Sequence, residues 1–428
     1  MLILRENIVY KVVLIAIFLP IFAAFFDSKT ITYIPDVLSV LAFSLLLLSN
    51  RVKLNYYFYT VLLILFFYVF SSLIIYGSIA SMGSVAVILL SIIFFQILDD
   101  DKIKLERLVK QVSVIYSLHV LFIFFEIIVK ILGYEYLINE LIGIKDSVTV
   151  MHYKDYNSAG LLRYLGFDFG GANGLLLGSQ SASIVTLFSI LWFANLFKIN
   201  IFSGLKINNK LFFILSLFLY PFDASMTSNF IFMILMFLLI FVFNNSRLCN
   251  KTTWSALFFI LTIFGGIIFD LITFRIKTEA DVAEYTHTFS FLVIDYLSLD
   301  WLSQLFGSGR GSMSGVSHSG DFGIAHILYE AGFVLVALGS GALLFIFVRV
   351  IRLLKRSKYS RFTKNPWFSF MSINIILSLG WFISLGHYPP AIELGGRHIF
   401  AFHVALTLIS IKKVRNLLNN PQTNYFRQ

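Results

Sequence analysis

Apolar stretches long enough to cross a bilayer recur along the whole chain, and short polar segments separate them. A helix needs about 20 consecutive apolar residues to span the hydrocarbon core. Stretches of this kind are Ile8–Phe26, Ile31–Ser49, Tyr56–Tyr76, Ile79–Leu98, Val112–Gly133, Gly174–Phe197, Trp254–Asp270, Phe322–Phe347, Trp367–Leu385 and His398–Ile411. A soluble core does not need so many, so the pattern predicts an all-α, polytopic integral membrane protein.

One further apolar segment, Leu211–Phe243, is interrupted by Pro221, Asp223 and small polar residues up to Asn229. It is too long for one crossing and short for two, so we expect a re-entrant segment or a hairpin of short helices. Irregular backbone at membrane depth is tolerated where protein or a water-filled cavity covers it.

The basic residues orient the chain. With the N-terminus in the cytoplasm and Leu211–Phe243 counted as two short crossings, most of the 33 lysines and arginines fall in cytoplasmic segments. This distribution follows the positive-inside bias of membrane proteins. A single crossing at Leu211–Phe243 would put the basic cluster between Arg349 and Lys364 outside. We therefore expect about twelve membrane segments, within a range of ten to twelve, and both termini in the cytoplasm.

Composition agrees with one membrane domain over residues 1–428 and no soluble module. Mean hydropathy is +0.85 and charged residues make up 13% of the chain. The net charge of +10 comes from the cytoplasmic rim, where it meets anionic lipid, so nucleic acid is not an expected partner. The N-terminus lacks a small-residue cleavage site, which indicates a retained first span. The sole cysteine, Cys249, allows no disulfide within the chain and no thiolate metal site.

Two long external segments, Tyr134–Ala172 and Leu271–Asp321, and a shorter one at residues 386–397 are expected outside. Loops of such length are usually functional or disordered, and these two hold too many aromatic and aliphatic residues for disorder. Within the second, His287–Phe306 has the pattern of an amphipathic helix lying on the membrane surface. The external arginines all fall in or beside these loops, and they are Arg163, Arg275, Arg310 and Arg397. Guanidinium groups suit phosphate oxygens, so the arginines indicate an external anionic ligand, although each alone could serve the loop or the membrane surface.

The segment from Gly307 to Gly332 is the most distinctive local pattern, because a glycine-rich loop leads directly into an apolar helix. Backbone N–H groups of such a loop, with Gly307 and Gly309 among its glycines, form an anion site. The alternative is that the glycines only permit a tight turn. No Walker lysine follows, which argues against a nucleotide site.

Ionisable residues follow in the same segment. His318 can exchange protons near neutral pH. Asp321 either orients it or caps the helix. His326 and Glu330 stand four residues apart on one helix face. They are candidates for function, since ionisable groups inside a membrane are costly, or they satisfy each other.

Two further polar groups point to structure rather than catalysis. His119, Glu126 and Lys130 share one stripe of the span Val112–Gly133, and Glu126 with Lys130 has the spacing of an ion pair. The acidic run that starts at Asp99 is expected to be a solvated helix start on the cytoplasmic side. No metal-ligand pattern and no cofactor motif is found, so neither is expected.

Taken together, these motifs resemble the O-antigen polymerase and ligase superfamily, and most closely its Wzy-type repeat-unit polymerases. The residues that carry the resemblance are Arg163–Phe167, Phe274–Arg275, Phe306–Gly309, His318–Asp321 and Tyr329–Gly332. Ligases of this superfamily have a histidine followed by asparagine before the helix. Here Ser319 follows His318, which favours the polymerases.

The resemblance implies a GT-C-like helical bundle in the bacterial inner membrane that joins lipid-linked repeat units at its outer face without metal. Donor and acceptor are glycans on undecaprenyl pyrophosphate, and a flippase and a chain-length regulator are candidate partners. Arg163 and Arg275, followed by Arg310 and Arg397, are expected to hold the departing pyrophosphate. His318 is expected to act as the base, with Asp321 orienting it or sharing the task.

Four alternatives remain open from the sequence, and one of them, a non-enzymatic scaffold, would leave the four external arginines unexplained. An O-antigen ligase-type transferase would share the fold, and a flippase for lipid-linked sugar would also need arginines for pyrophosphate. A flippase should expose charge to both faces in turn and often has repeated halves. A peptidoglycan-type polymerase would have similar topology, but its residue pattern is not seen here.

Overall fold

The computed structural model describes part of the chain, and that part is helical. Its continuous ranges are 83–99, 105–134, 189–199, 293–307, 323–357, 365–371 and 396–419, and its isolated positions are 11, 14–15, 34, 37–38, 40–41, 44, 59, 63, 66, 70, 211, 215, 287, 290–291 and 374. Within these ranges no residue lies in a strand, which confirms the all-α class.

Within the described part of the chain, five helices have defined bounds. They are α1 (Gly83–Leu98), α2 (Leu105–Ile131), α3 (Trp301–Phe306), α4 (Gly323–Ser357) and α5 (Gly396–Asn419). Residues 189–196 and 366–371 are helical too. The helices α1, α2, α4 and α5 coincide with predicted apolar runs, but α4 and α5 continue well past them into basic sequence. Across the described ranges, α2 is the one helix both long and apolar enough to cross a membrane, while Leu89–Leu98 and Gly332–Gly341 are shorter apolar pieces.

Helices α1 and α5 run parallel, pack against each other and both contribute to the buried core. The ring of Phe94 meets the ring of Phe402 edge to face, with the centroids 6.3 Å apart. Further along both helices, Lys412 Nζ lies 2.6 Å from Asp99 Oδ1. The rest of the predicted acidic helix start, residues 100–101, lies outside the described residues, whereas Asp99 itself follows the end of α1. A carboxylate there faces the negative end of the helix dipole, so Lys412 offsets an unfavourable position.

An aromatic cluster joins segments 189–196 and 366–371. Phe193 stacks on Phe197 with a centroid distance of 4.2 Å, and it meets Phe370 edge to face at 4.8 Å. Trp367 packs edge-on against both Phe193 and Phe197. The rings fix the two segments against each other, since such pairs add to the burial of aromatic surface.

Helix α2 buries ionisable side chains and exposes a row of apolar ones. Its buried face contains three ionisable side chains, His119, Glu126 and Lys130. Glu106 and Arg107 are exposed in its first turn, and its other exposed side chains are apolar, namely Leu118, Leu121, Phe124, Phe125, Ile128 and Ile131. A helix in water usually exposes its charges, whereas α2 buries these three ionisable side chains among apolar ones and exposes apolar side chains as well.

The predicted amphipathic helix at His287–Phe306 is helical at all its described positions except Leu299 and Asp300. These two residues divide it into a first helix that includes 293–298 and the short helix α3. Large apolar side chains, including Ile294 and Trp301, are exposed in both parts.

Candidate functional site

The chain turns at Leu299 and Asp300, between the helix at 293–298 and α3, and this hydrogen-bonded corner precedes the glycine-rich segment. Asp300 caps α3: its Oδ1 accepts a bond of 3.0 Å from the N–H of Ser303, and its Oδ2 accepts one of 2.5 Å from the hydroxyl of the same serine. Asp is a preferred N-cap residue because its carboxylate satisfies an N–H group that the first turn leaves open. The Ser303 hydroxyl, followed by its backbone N–H, holds the pKa of Asp300 below its ordinary value.

Two side chains tie the helices on either side of this corner together. The amide of Gln304 donates to the carbonyl oxygens of Leu297 and Leu299, at 2.9 and 2.8 Å. The hydroxyl of Tyr296 donates to the Gln304 carbonyl at 2.7 Å, and burial raises the pKa of this tyrosine. These hydrogen bonds, from side chains to backbone carbonyls, hold α3 against the preceding helix. They fix the position at which α3 ends.

Helix α3 ends at Phe306, and the capping residue Gly307 lies against a break in α4. Gly332 interrupts α4 with φ 75° and ψ 171°, outside the helical region. A Cβ on Gly332 would lie 2.3 Å from Gly307 N and 2.4 Å from Leu305 O, distances that no side chain can occupy. Two features therefore require glycine at position 332, namely the positive φ and the close approach of the backbone at the end of α3. Gly307 and Gly332 are the two ends of the glycine-rich segment identified in the sequence, and this contact joins them.

The predicted site residues differ in how far the structure describes them. Gly307 is described in full, and it lies in the contact with Gly332. His326 and Glu330 lie on the helical turns of α4 between Gly323 and the break at Gly332. Arg397 is the second residue of α5, which begins at Gly396. The remaining candidates lie outside the described residues, and they are Arg163, Arg275, Gly309, Arg310, His318 and Asp321.

The structure brings Gly307 to the same end of α4 as His326 and Glu330, because Gly332 follows Glu330 by two residues. The backbone break therefore comes immediately after the first turns of α4. Such breaks cost energy and are found more often at functional sites than elsewhere. The glycine-rich segment is therefore anchored at both of its ends.

The buried ion pair on α2 confirms a sequence prediction. Lys130 Nζ lies 2.9 Å from Glu126 Oε1, and their side chains are 5% and 2% exposed. His119 is buried on the same helix, as the shared stripe required. The pair neutralises two charges that would each be costly alone in a low-dielectric core.

Sequence reasoning missed a buried polar contact between three helical segments. The Ser189 hydroxyl donates to the Asn374 side-chain oxygen, and the Asn374 amide donates to the Thr407 hydroxyl at 2.5 Å. Asn374 was the available signal, because it is a lone amide within the apolar run Trp367–Leu385. On α5, His398 and His403 are also fully buried. The polar groups lie on the side of α5 that packs into the core.

No cluster of three or more metal-ligating side chains occurs among the residues that the structure describes. No protein-family model, no curated protein and no solved structure matches this chain.

Proposed function

We propose that the chain is a polysaccharide polymerase of the bacterial inner membrane. It joins oligosaccharide repeat units carried on undecaprenyl pyrophosphate, at the periplasmic or extracellular face, and releases undecaprenyl pyrophosphate. In this proposal the protein is multi-pass with both termini in the cytoplasm, and the reaction needs no metal or cofactor. A flippase and a chain-length regulator are the expected protein partners.

The polarity of α2 supports the membrane setting. Beyond the first turn its exposed side chains are leucine, phenylalanine and isoleucine, while Glu126 and Lys130 are buried. Apolar side chains can contact lipid tails without a free-energy penalty. Ionisable residues in membrane helices face the bundle interior and pair with one another. The buried contact of Asn374 with Thr407 has the form of the polar interactions that link helices in bilayers.

The ion pair between Asp99 and Lys412 supports an even number of crossings between these residues. Two groups in direct contact at helix ends lie at the same membrane surface. Counting Leu211–Phe243 as two crossings, or as re-entrant, gives an even number, whereas one crossing gives an odd number. The contact thus favours the arrangement of about twelve segments derived from the positive-inside bias.

The contact of Gly307 with Gly332 is the observation that carries the assignment of the site. It fixes both ends of the segment that holds His318 and Asp321, so a reactive loop has a rigid base. Sites that position reacting groups are best supported by rigid elements and packed surroundings. In the proposed orientation this base faces the periplasmic side, with Arg397 in the first turn of α5 at the same surface.

The proposed reaction is one displacement at the anomeric carbon of the donor sugar. The acceptor hydroxyl oxygen forms the new bond to that carbon while the bond to the pyrophosphate oxygen breaks, and His318 takes the hydroxyl proton. Asp321 orients His318 or shares the proton. The configuration at the anomeric carbon is inverted, since no enzyme nucleophile takes part.

Charge develops on the departing pyrophosphate, and fixed donors lower the barrier most when they are aimed there. Arg163 and Arg275 take this role first, with Arg310 and Arg397 assisting. The backbone of Gly307 and Gly309, with His326 and Glu330, contributes to holding the lipid-linked substrates.

Purified full-length protein with a synthetic lipid-linked repeat unit, in the presence of EDTA, tests the proposal. A ladder of oligomers supports the polymerase. Transfer of intact lipid between leaflets without oligomers would identify a flippase, and transfer of a single glycan to a lipid A acceptor would identify a ligase. The exposed His287, in the same proposed external segment as His318, supplies a matched control as His287→Ala.

A further inference from the structure

A cavity of ≈ 300 Å³ lies between the C-terminal ends of α4 and α5, and three arginines line it. Arg349, Arg352 and Leu353 come from α4, and Arg415, Leu418 and Asn419 come from α5. One water molecule needs roughly 10–15 Å³ of such space, so the cavity has room for a much larger group.

No acidic side chain neutralises this cluster within its own two helices. From Arg349 to the end of the chain the sequence holds a single carboxylate, Glu393, which precedes α5. Arg352 and Arg415 have no ion pair or hydrogen bond in the part of the chain that the structure describes. Arg349 lies over the ring of Phe345, with its Cζ 5.8 Å from the centroid. This contact orients the guanidinium group without cancelling its charge.

Three like charges around one cavity repel one another, and the repulsion is relieved when an anion occupies the space between them. Phosphate is the anion whose oxygens fit the planar donor fork of arginine. The cavity is not uniformly polar, because Leu353 and Leu418 form part of its wall and Leu353 is buried. The amide of Asn419 adds a neutral hydrogen-bonding group at the rim.

We propose that this cavity binds a phosphate-bearing anion, namely the headgroup of an anionic phospholipid in the cytoplasmic leaflet. The guanidinium groups hold the phosphodiester, the leucines contact the start of the glycerol and acyl region, and Asn419 reaches the headgroup hydroxyls. Basic pockets between membrane helices on the cytoplasmic side are known to suit such headgroups. The proposal rests on the proposed orientation in the membrane but not on the polymerase activity.

Thermal unfolding of the full chain in neutral detergent tests this, with phosphatidylglycerol, phosphatidylcholine and inorganic phosphate as separate probes. We expect phosphatidylglycerol to raise the unfolding temperature, with phosphatidylcholine and inorganic phosphate having little effect. Replacing Arg349, Arg352 and Arg415 together by glutamine should lower the phosphatidylglycerol affinity on the order of tenfold or more. The exposed single variant Arg352→Gln should lower it several-fold and is the test to use if the triple variant fails to fold.

A control variant removes three charges elsewhere on the same proposed surface, by glutamine at Arg107, Lys110 and Lys198. It should keep the affinity of the parent protein. An equal loss in the control and the cavity variants would overturn the proposal, because the attraction would then come from overall charge. If inorganic phosphate alone reproduced the effect of phosphatidylglycerol, the lipid assignment would be wrong. Binding that is unchanged in Arg352→Gln and in the triple variant would also overturn it, whatever the outcome of the polymerisation assay.

Discussion

Lys412 Nζ and Asp99 Oδ1 lie 2.6 Å apart, which brings the C-terminal end of α1 to the level of the third turn from the end of α5. The two side chains are 26% and 46% exposed for Asp99 and Lys412, so the pair is worth only about 0–1 kcal/mol. Its importance is topological, because it relates two positions that are distant in the chain.

We predict that single cysteines at Glu106 and Asn419, in a Cys249→Ser background, react with an impermeant thiol reagent from the same side. Both positions are exposed: Glu106 lies in the first turn of α2, seven residues after Asp99 in the sequence. Asn419 is the last residue of α5, whose Lys412 contacts Asp99. Labelling of intact spheroplasts and of inverted vesicles measures the side directly. Reaction from opposite sides would refute an even number of crossings, and a cytoplasmic location for Ser308 to Asp321 would refute the site.

Gly332→Ala should disrupt the base of the candidate site. The new Cβ would collide with Gly307 N and Leu305 O, and the positive φ of 75° would strain the backbone. Overpacking and strain each cost about 1–3 kcal/mol, so we expect a loss of roughly 3 kcal/mol in the free energy of unfolding together with loss of polymerisation. Urea unfolding in detergent measures the first and the oligomer ladder measures the second.

Gly339→Ala and Gly341→Ala are the matched controls, because nothing lies within 4 Å of a Cβ at either position. Alanine is the better helix former by about 1 kcal/mol, so both should be neutral or stabilising. Equal behaviour of all three variants would show that the contact of Gly307 with Gly332 has no special weight.

The sequence predicted where helices lie better than where they stop. Hydropathy located α1 and α2 because both end close to the end of an apolar run, at Leu98 and Ile131. It missed the continuation of α4 to Ser357, since apolar character marks the hydrocarbon boundary whereas arginine and lysine are good helix formers. The break at Gly332 was not predictable either, because it depends on a backbone contact with α3 that no local pattern encodes.

Local spacing predicted the ion pair of Glu126 and Lys130, since residues four apart on a helix are neighbours. The contact of Ser189 with Asn374 and Thr407 joins segments that are remote in sequence, so it required the tertiary packing. For the candidate site, the sequence located the segment and the structure supplied its anchoring. The roles of His318, Asp321 and the external arginines stay predictions.

Glu126 and Lys130 should be energetically coupled. We predict that Glu126→Gln and Lys130→Met each destabilise the protein, and that the double variant loses less than the sum, with a coupling of about 1–3 kcal/mol. The reason is that each single change leaves a buried charge without its neighbour of opposite sign, 2.9 Å away in the parent protein. Unfolding in detergent of the four proteins gives the coupling, and additive losses would contradict it.

The cap of α3 should weaken in acid. The folded-state pKa of Asp300 is lowered from its ordinary value of 3.8, so the ionised carboxylate stabilises the fold. That stabilisation is complete above the ordinary value and is lost as the pH falls through the lower folded-state value. Hydrogen exchange of the peptide covering α3, corrected for the intrinsic rate, should therefore accelerate in this acidic window. Asp300→Asn keeps a capping oxygen and should remove the pH dependence. An equal acid response in both proteins would contradict the role of Asp300.

Loss of His318, Arg163 or Arg275 should abolish chain growth and leave single repeat units at the cell surface. A positioned base contributes about 10²–10⁴-fold to a rate, and one preorganised donor at a developing anion contributes about 10²–10³-fold. Each alanine variant should thus fall below the rate needed for long chains while delivery of single units continues. Gel profiles of surface polysaccharide, with His287→Ala as the control for the external segment, measure the outcome. Long chains of normal length in all three variants would end the assignment of this chain as the polymerase, because the proposed base and both first-choice pyrophosphate donors would then be dispensable.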